Sequence, residues 1–325
     1  MKVRKQLSFS LVTLLLIGSL SSCQTAKMDL SYSEDVPTLC TAVTESSTLM
    51  EPMAKDLCVV PANRKNDTDS ELTAGSCLIF DTTDQKVLYQ SNVYERLFPA
   101  SITKLMTAYV AFQYADLEDT VTFSYAASHI TESGAKLCGF KEGDQVKLRT
   151  LLAALLIYSG NDAGVAIAEH ISGSVDAFAA LMNEEADKLG ATGSHFVNPH
   201  GLHDENHYTT TYDIYLILNQ LVKNQDFLDM ISSTQVLVPY VDKDEQSHAV
   251  TFHTTNQYLL GEKAAPKNVT VLGGKTGTTS KAGSCLALYS KGDNDHYYIS
   301  IVFQAANKVS LYNQMTELLA KVSKE

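Results

Sequence analysis

The stretch "VLGGKTGTTS", Val271 to Ser280, admits two readings. Gly274-Lys275-Thr276 reproduces the last three residues of a phosphate-binding loop. Such a loop needs a second glycine five residues earlier to wrap the backbone around phosphates, and that position is Val269. The alternative is a strand that carries Lys-Thr-Gly at its edge. On that reading "VTVLGGKT" joins "VLVPYV", "HAVTFHT", "SCLALYS" and "YYISIVFQA" in a strand-rich C-terminal third closed by an amphipathic helix near Leu311 to Val322.

Working outward, "SCLIFDTTDQKVLYQ" gives two apolar runs around a polar Asp81 to Asp84 turn, as in a strand hairpin. After Pro99 the spacing of Ile102, Leu105, Met106 and Tyr109 is helical. From Leu148 to about Leu221 most segments are helical, with "LLAALLIY" as a buried core helix and Ser174 as a helix cap. Strands, then helices, then strands predict a sheet built from both ends of the chain and a helical domain inserted between, with the binding cleft where they meet.

The N-terminus is set aside first. Lys2, Arg4 and Lys5 precede the apolar run Leu11 to Ile17 and then "LSSC", ending at Cys23, which reads as an export signal over residues 1–22 and not as a spanning helix. "LSSC" resembles the lipobox of bacterial lipoproteins, so Cys23 is expected to be lipidated and to anchor the chain at an extracytoplasmic membrane face. Loss of three basic residues and no acid takes the net charge from −12 to −15, a poor match for nucleic acid. Residues 23–73 read as a tether rich in Ser, Thr, Asp and Glu, and the folded part as 74–325, with a sheet portion at about 74–115 and 236–325 and a helical portion at about 116–235. Besides Cys23 there are five cysteines. Cys40 and Cys58 could pair in an oxidising compartment, and with no CxxC spacing the rest are expected to be buried or free thiols.

Three short motifs carry chemistry. "PASITK" puts Ser101 and Lys104 three apart on one helix face, so that an amine can take the hydroxyl proton, near a helix N-terminus that favours an oxyanion. Ser-x-x-Lys alone is a weak signal. A second copy, "SGAK" at Ser133 to Lys136, lies among glycines without a helical stripe and is set aside. "YSGND" supplies Ser159 and Asn161 just after the core helix, and "KTGT" supplies Lys275, Thr276, Gly277 and Thr278.

In this order the three motifs resemble the signature of penicillin-recognising serine enzymes. "FPASITKLMTA", "LLIYSGNDAGVAIAEHI", "FAALMNEEADKLGATGSHFVNPHGL", "TTNQYLL" and "GGKTGTTSKAGSCLAL" are similar to the D-alanyl-D-alanine carboxypeptidase family, over about residues 74 to 320. The resemblance implies an α+β, β-lactamase/transpeptidase-like fold, with an antiparallel sheet flanked by helices and an inserted all-helical domain. It implies a cofactor-free serine peptidase whose partners are peptidoglycan stem peptides ending in D-Ala-D-Ala and β-lactam antibiotics. Carried over, Ser101 is the nucleophile and Lys104 its base, which requires a lowered pKa that burial and Lys275 would both favour. Ser159 relays a proton to the leaving D-alanine and Asn161 holds the substrate amide. The Ser101 and Thr278 N–H groups form the oxyanion hole, and Lys275, Thr276 and Thr278 meet the terminal carboxylate, so the anion of the opening stretch is a peptide C-terminus.

One departure stands out. Family members often carry an arginine after Lys-Thr-Gly for that carboxylate, whereas the last arginine here is Arg149, which leaves Thr276, Thr278 and a lysine such as Lys275 or Lys308. Among rivals, a β-lactamase needs a deacylating glutamate some 35 residues past Ser-x-Asn, where this chain reads "SHFVNPHGL". A zinc peptidase is suggested by His200, His203 and His207, whose irregular spacing fits a solvated loop better than a metal-binding helix. No Gly-x-Ser-x-Gly elbow exists, and an inactive wall-binding lipoprotein would require a missing catalytic residue.

Overall fold

The computed structural model describes Leu57, Val60 and residues 67–322. Cys23 with the signal segment, most of the expected tether, and Cys40 and Cys58 lie outside the described residues. Strands β1 (Ser76–Asp81) and β2 (Lys86–Ser91) form the expected hairpin, closed by the Asp81 carboxylate accepting from Thr83 N and Asp84 N at 2.8 and 3.0 Å. A 3-10 turn, Ala100–Thr103, then runs into α1 (Lys104–Tyr114).

The inserted region follows. It comprises β3 (Thr120–Thr122), α2 (Tyr125–Ser128), β4 (Gln145–Lys147), α3 (Leu148–Ala153) extended by a wider π turn Ala154–Tyr158, α4 (Asn161–Ser172), α5 (Val175–Lys188), α6 (Thr211–Leu221), α7 (Gln225–Ser232), β5 (Gln235–Val241) and β6 (Ser247–His253). Helix α5 begins where Ser174 accepts from Ala177 N at 3.1 Å, the cap that the sequence predicts. The chain returns through β7 (Val269–Thr279), β8 (Gly283–Gly292), β9 (Tyr297–Ala305) and α8 (Lys308–Leu319).

β1, β2, β7, β8 and β9 form one antiparallel sheet in the order β2-β1-β9-β8-β7. Its central strands are buried on both faces, because alternate residues feed two separate cores. Leu78, Phe80, Ile299 and Ile301 pack with Leu105, Ala108, Ile214 and Tyr215 of α1 and α6, while Cys77, Ile79, Leu288 and Val302 pack with Leu311, Met315 and Leu318 of α8. Strand β7 ends the sheet and pairs only with β8, so one of its edges faces the insert.

The expected mixed fold with an antiparallel sheet flanked by helices is observed, and two details differ. The insert is not all helical: β3-β4-β5-β6 make a second antiparallel sheet, so the strands at 235–253 pair with the insert and not with the large sheet. The pattern explains it. In β5, Leu237, Pro239 and Val241 are exposed while Val238 is buried, the alternation of a one-sided sheet, whereas β8 and β9 are continuously apolar as a two-sided sheet requires. Residues 67–73, read as tether, lie on the folded body, with Leu72 buried in the α8 core and Asp69 paired to Lys321 at 2.6 Å. Cys77 and Cys285 are buried and free, and burial pushes both thiols up to about 12; Cys138 is half-buried and free.

Candidate active site

The turn that carries Ser101 is held in an unusual backbone shape. Ala100, directly before Ser101, has φ 48°, a left-handed conformation that costs a non-glycine residue about 1–3 kcal/mol. A chain of hydrogen bonds with fixed direction holds it. Val197 N–H donates to His207 Nδ1 at 3.1 Å, which leaves the imidazole proton on Nε2. Nε2–H donates to Thr103 Oγ1 at 2.8 Å, and Thr103 O–H donates to the Ala100 carbonyl at 2.8 Å. Burial, the largest cause, holds His207 down at about 3, so this relay is neutral. Gly201, with φ 83°, lies against the same Ala100 carbonyl, and a side chain there would collide with it.

Lys104 opens helix α1 one turn after Ser101 and is wholly buried. Its Nζ donates to Ser101 Oγ at 3.0 Å, Asn161 Oδ1 at 2.7 Å and His200 O at 2.8 Å. Those acceptors are neutral, so burial dominates and lowers its pKa from 10.5 to about 7. The loop that supplies the His200 carbonyl is fastened by Asn198 Oδ1, which accepts from Gly201 N at 2.7 Å, and by Thr107, which donates to Pro199 O at 2.6 Å.

Facing Ser101, the π turn ends at Ser159 with φ 79°, again left-handed, which brings its hydroxyl back toward the sheet. Lys275 of β7, also fully buried, donates to Ser159 Oγ at 2.9 Å and to the Thr276 carbonyl at 2.8 Å. Burial drives its pKa well down, and the Lys104 and Lys136 charges push the same way. Gly277 is where β7 touches the Ser101 turn: a Cβ there would lie 3.0 Å from Pro99 O and from the Ser101 and Ile102 nitrogens. Only a glycine lets the Lys-Thr-Gly edge approach Ser101 this closely.

These residues line a cavity of about 300 Å³ between the β7 edge and the insert. Ser101, Ser159, Asn161, Thr276, Gly277 and Thr278 all face it, so the three motifs, spread over residues 101–278, converge. Lys104 and Lys275 lie beneath. The alternatives for the carboxylate lysine separate here: Lys275 is occupied inside the protein, whereas Lys308, the first residue of α8, lines the cavity. Thr255 joins them and bonds Thr276 hydroxyl to hydroxyl at 2.6 Å. No described lining residue is Asp or Glu.

Several expectations need correction or extension. His200 and His207 do not sit in a solvated loop; they are 8% and 2% exposed, because they pack under the Ser101 turn. His200 Nδ1 accepts from Leu202 N at 3.2 Å and His207 is used on both ring nitrogens, while His203 turns away to Glu205 at 3.1 Å. Ser133 of the second Ser-x-x-Lys is exposed in a loop, yet Lys136 of the same tetrapeptide lines the cavity. Nothing in its spacing signals this; its position depends on tertiary contacts, with Asn161 N donating to Lys136 O at 2.7 Å and Asp162 accepting from Cys138 N and Gly139 N at 2.8 Å each. Thr103 and His207 were likewise invisible as partners, being 104 residues apart.

Comparison with known proteins agrees with this geometry. The family model described as D-alanyl-D-alanine carboxypeptidase, peptidase S11, matches residues 62–307. The chain is 33% identical over 265 residues to D-alanyl-D-alanine carboxypeptidase DacF of Bacillus subtilis (strain 168), covering 79% of this chain and 64% of that protein. It is 33% identical over 254 residues to DacC of Escherichia coli (strain K12), covering 76% and 60%. The chain thus spans less than two thirds of the length of these curated relatives. Among solved structures, the Streptomyces K15 DD-transpeptidase superposes with a TM-score of 0.71 at 24% identity, over 79% of this chain and 98% of the other, a likeness of fold.

Proposed function

Because the chain belongs to the D-alanyl-D-alanine carboxypeptidase family, we propose that it is a serine carboxypeptidase removing the terminal D-alanine from peptidoglycan stem peptides. The observation that carries this reading is the buried Lys104 amine 3.0 Å from Ser101 Oγ, with a pKa lowered to about 7. A lysine in water is protonated at neutral pH and cannot act as a base; burial brings the neutral, proton-accepting form of this one within reach near neutral pH.

The steps follow from the geometry. Lys104 takes the Ser101 proton as Oγ attacks the carbonyl carbon of the penultimate D-alanine. The developing oxyanion is met by the Ser101 and Thr278 N–H groups at the Gly277 contact. Asn161 spends its Oδ1 on Lys104, leaving its amide N–H₂ for the substrate carbonyl. Ser159 Oγ accepts from Lys275, so its own proton is directed at the leaving amine; it passes that proton to the D-alanine nitrogen as the C–N bond breaks, and the proton that Lys104 took from Ser101 makes up the loss, which leaves both serine and lysine in their starting forms. Lys104, returned to its neutral form, activates the water that cleaves the ester. An extended peptide lies along the free β7 edge, its terminal carboxylate against Thr276, Thr278 and Lys308. With no carboxylate among the described lining residues to speed deacylation, a β-lactam acyl-enzyme persists.

We also propose that Cys23 carries a lipid that holds the mature domain on an extracytoplasmic membrane face, on the strength of the charged start, the short apolar run and the lipobox-like "LSSC". Cys23→Ser should release the chain from the membrane fraction; retention there would remove the anchor. For the activity, a peptide ending in D-Ala-D-Ala should lose one D-alanine, its L-Ala-L-Ala counterpart none, and Ser101→Ala should release nothing. Turnover by Ser101→Ala would contradict the assignment.

A further inference from the structure

Two cations stand at the cavity wall with no acid among the described residues to meet them. Lys136, on the insert, holds its ammonium 3.8 Å above the Tyr158 ring and makes no ion pair with a described residue. Lys308, from the helix behind the large sheet, lines the same cavity and likewise makes none with a described residue. Acidic residues outnumber basic ones 37 to 25 in this chain, so unpaired cations sharing a cavity free of described acids call for an explanation.

Lys136 is also half-buried, which is costly for an ammonium without an anion; the aromatic face offsets only part of that cost. Burial lowers its pKa; the Cys138 thiol opposes this and the Lys308 charge adds to it. The Lys136 charge in turn helps to lower both Lys104 and Lys275, which puts it near the buried pair as well as on the cavity wall. Its backbone is fixed from both sides, by Asn161 N on its own carbonyl at 2.7 Å and by Asp162 on the next turn of the loop. The anchored backbone and the Tyr158 face together keep this cation beside the Ser-x-Asn turn.

We propose that Lys136 is a specificity-determining residue that, opposite Lys308, clamps a carboxylate of the bound peptide. The clamp supplies from two lysines what a single downstream arginine would supply, and half of it comes from the insert. The carboxylate has two possible sources: the C-terminus of the peptide, or the side chain of a diamino diacid at the third position of the stem. The inference rests on the carboxypeptidase reading, but its test separates the two.

The test compares wild type with Lys136→Gln, Lys136→Arg and Lys136→Glu on three probes. These are a stem peptide with lysine at the third position, the same peptide with a diamino diacid there, and penicillin G, whose carboxylate mimics the C-terminus. Lys136→Gln should lower kcat/KM about tenfold, chiefly through KM, with Lys136→Glu lower still and Lys136→Arg largely restored. An equal loss on both peptides, with slower Ser101 acylation by penicillin, identifies the C-terminal carboxylate. A loss confined to the diacid peptide identifies the side chain. Unchanged kinetics on all three probes would overturn the clamp, as would a loss that tracks melting temperature and is not restored by arginine. Failure of the underlying activity looks different, since wild type would then neither release D-alanine nor take up penicillin.

Discussion

The floor and the mouth of the cavity are built from the same residue types and treat them in opposite ways. On the floor, Lys104 and Lys275 are fully buried and every nearby acceptor is neutral: hydroxyls, an amide and backbone carbonyls. At the mouth, half-buried Lys136 and exposed Lys308 line the open space, with no anionic partner among the described residues. Full burial without an anion turns a lysine into a base or a proton relay, while a lysine that still reaches open space without an anion stays a charge for something that arrives. Acid–base chemistry and charge recognition are thus separated by depth, with no carboxylate among the described lining residues to short-circuit either.

The comparison breaks most visibly at the floor. Lys104→Met keeps the apolar stem and removes the base, and penicillin acylation of Ser101 should fall by about 10³-fold while the chain stays folded; a loss under tenfold would mean that some other group takes the proton. The sign of the pH dependence follows from the same lysine. Only its neutral form accepts a proton, so kcat/KM should be low in acid, rise as pH passes through about 7, and level off above. A profile flat from pH 5 to 9 would contradict a depressed Lys104 pKa (the range being about two units either side of the value).

A smaller effect is expected one layer further out. Thr103→Val removes the hydroxyl that joins His207 to the Ala100 carbonyl while keeping the shape, and should slow Ser101 acylation about tenfold, with Thr103→Ser restoring most of it. Equal rates for the Val and Ser variants would show that the strained Ala100 needs no such support.

Much of this was legible before any coordinates. The Ser101/Lys104 spacing, the Ser159/Asn161 turn after an apolar helix and the Lys-Thr-Gly strand each have a local signature, and their order carries the fold. What escaped was set by contacts between distant segments. His207 looks like one of three loop histidines until Thr103 and Val197 are seen around it. Lys136 looks like part of a spurious motif until Asn161 and Asp162 draw its loop to the cleft. The second sheet escaped for a different reason, since alternation in "VLVPYV" says one-sided strand but not which partner; β4 supplies the partner through Gln145↔Val241 and Val146↔Tyr240.

The central claim is that Ser101, activated by a buried neutral lysine, forms an acyl-enzyme that no carboxylate hastens to hydrolyse. Intact mass after incubation with penicillin G tests it most directly. The account predicts one added penicillin on the wild type, mapped to Ser101 and not Ser133, persisting for minutes or longer, and none on Ser101→Ala. An adduct on Ser133, an adduct on Ser101→Ala, or rapid turnover of the antibiotic with no adduct would contradict it.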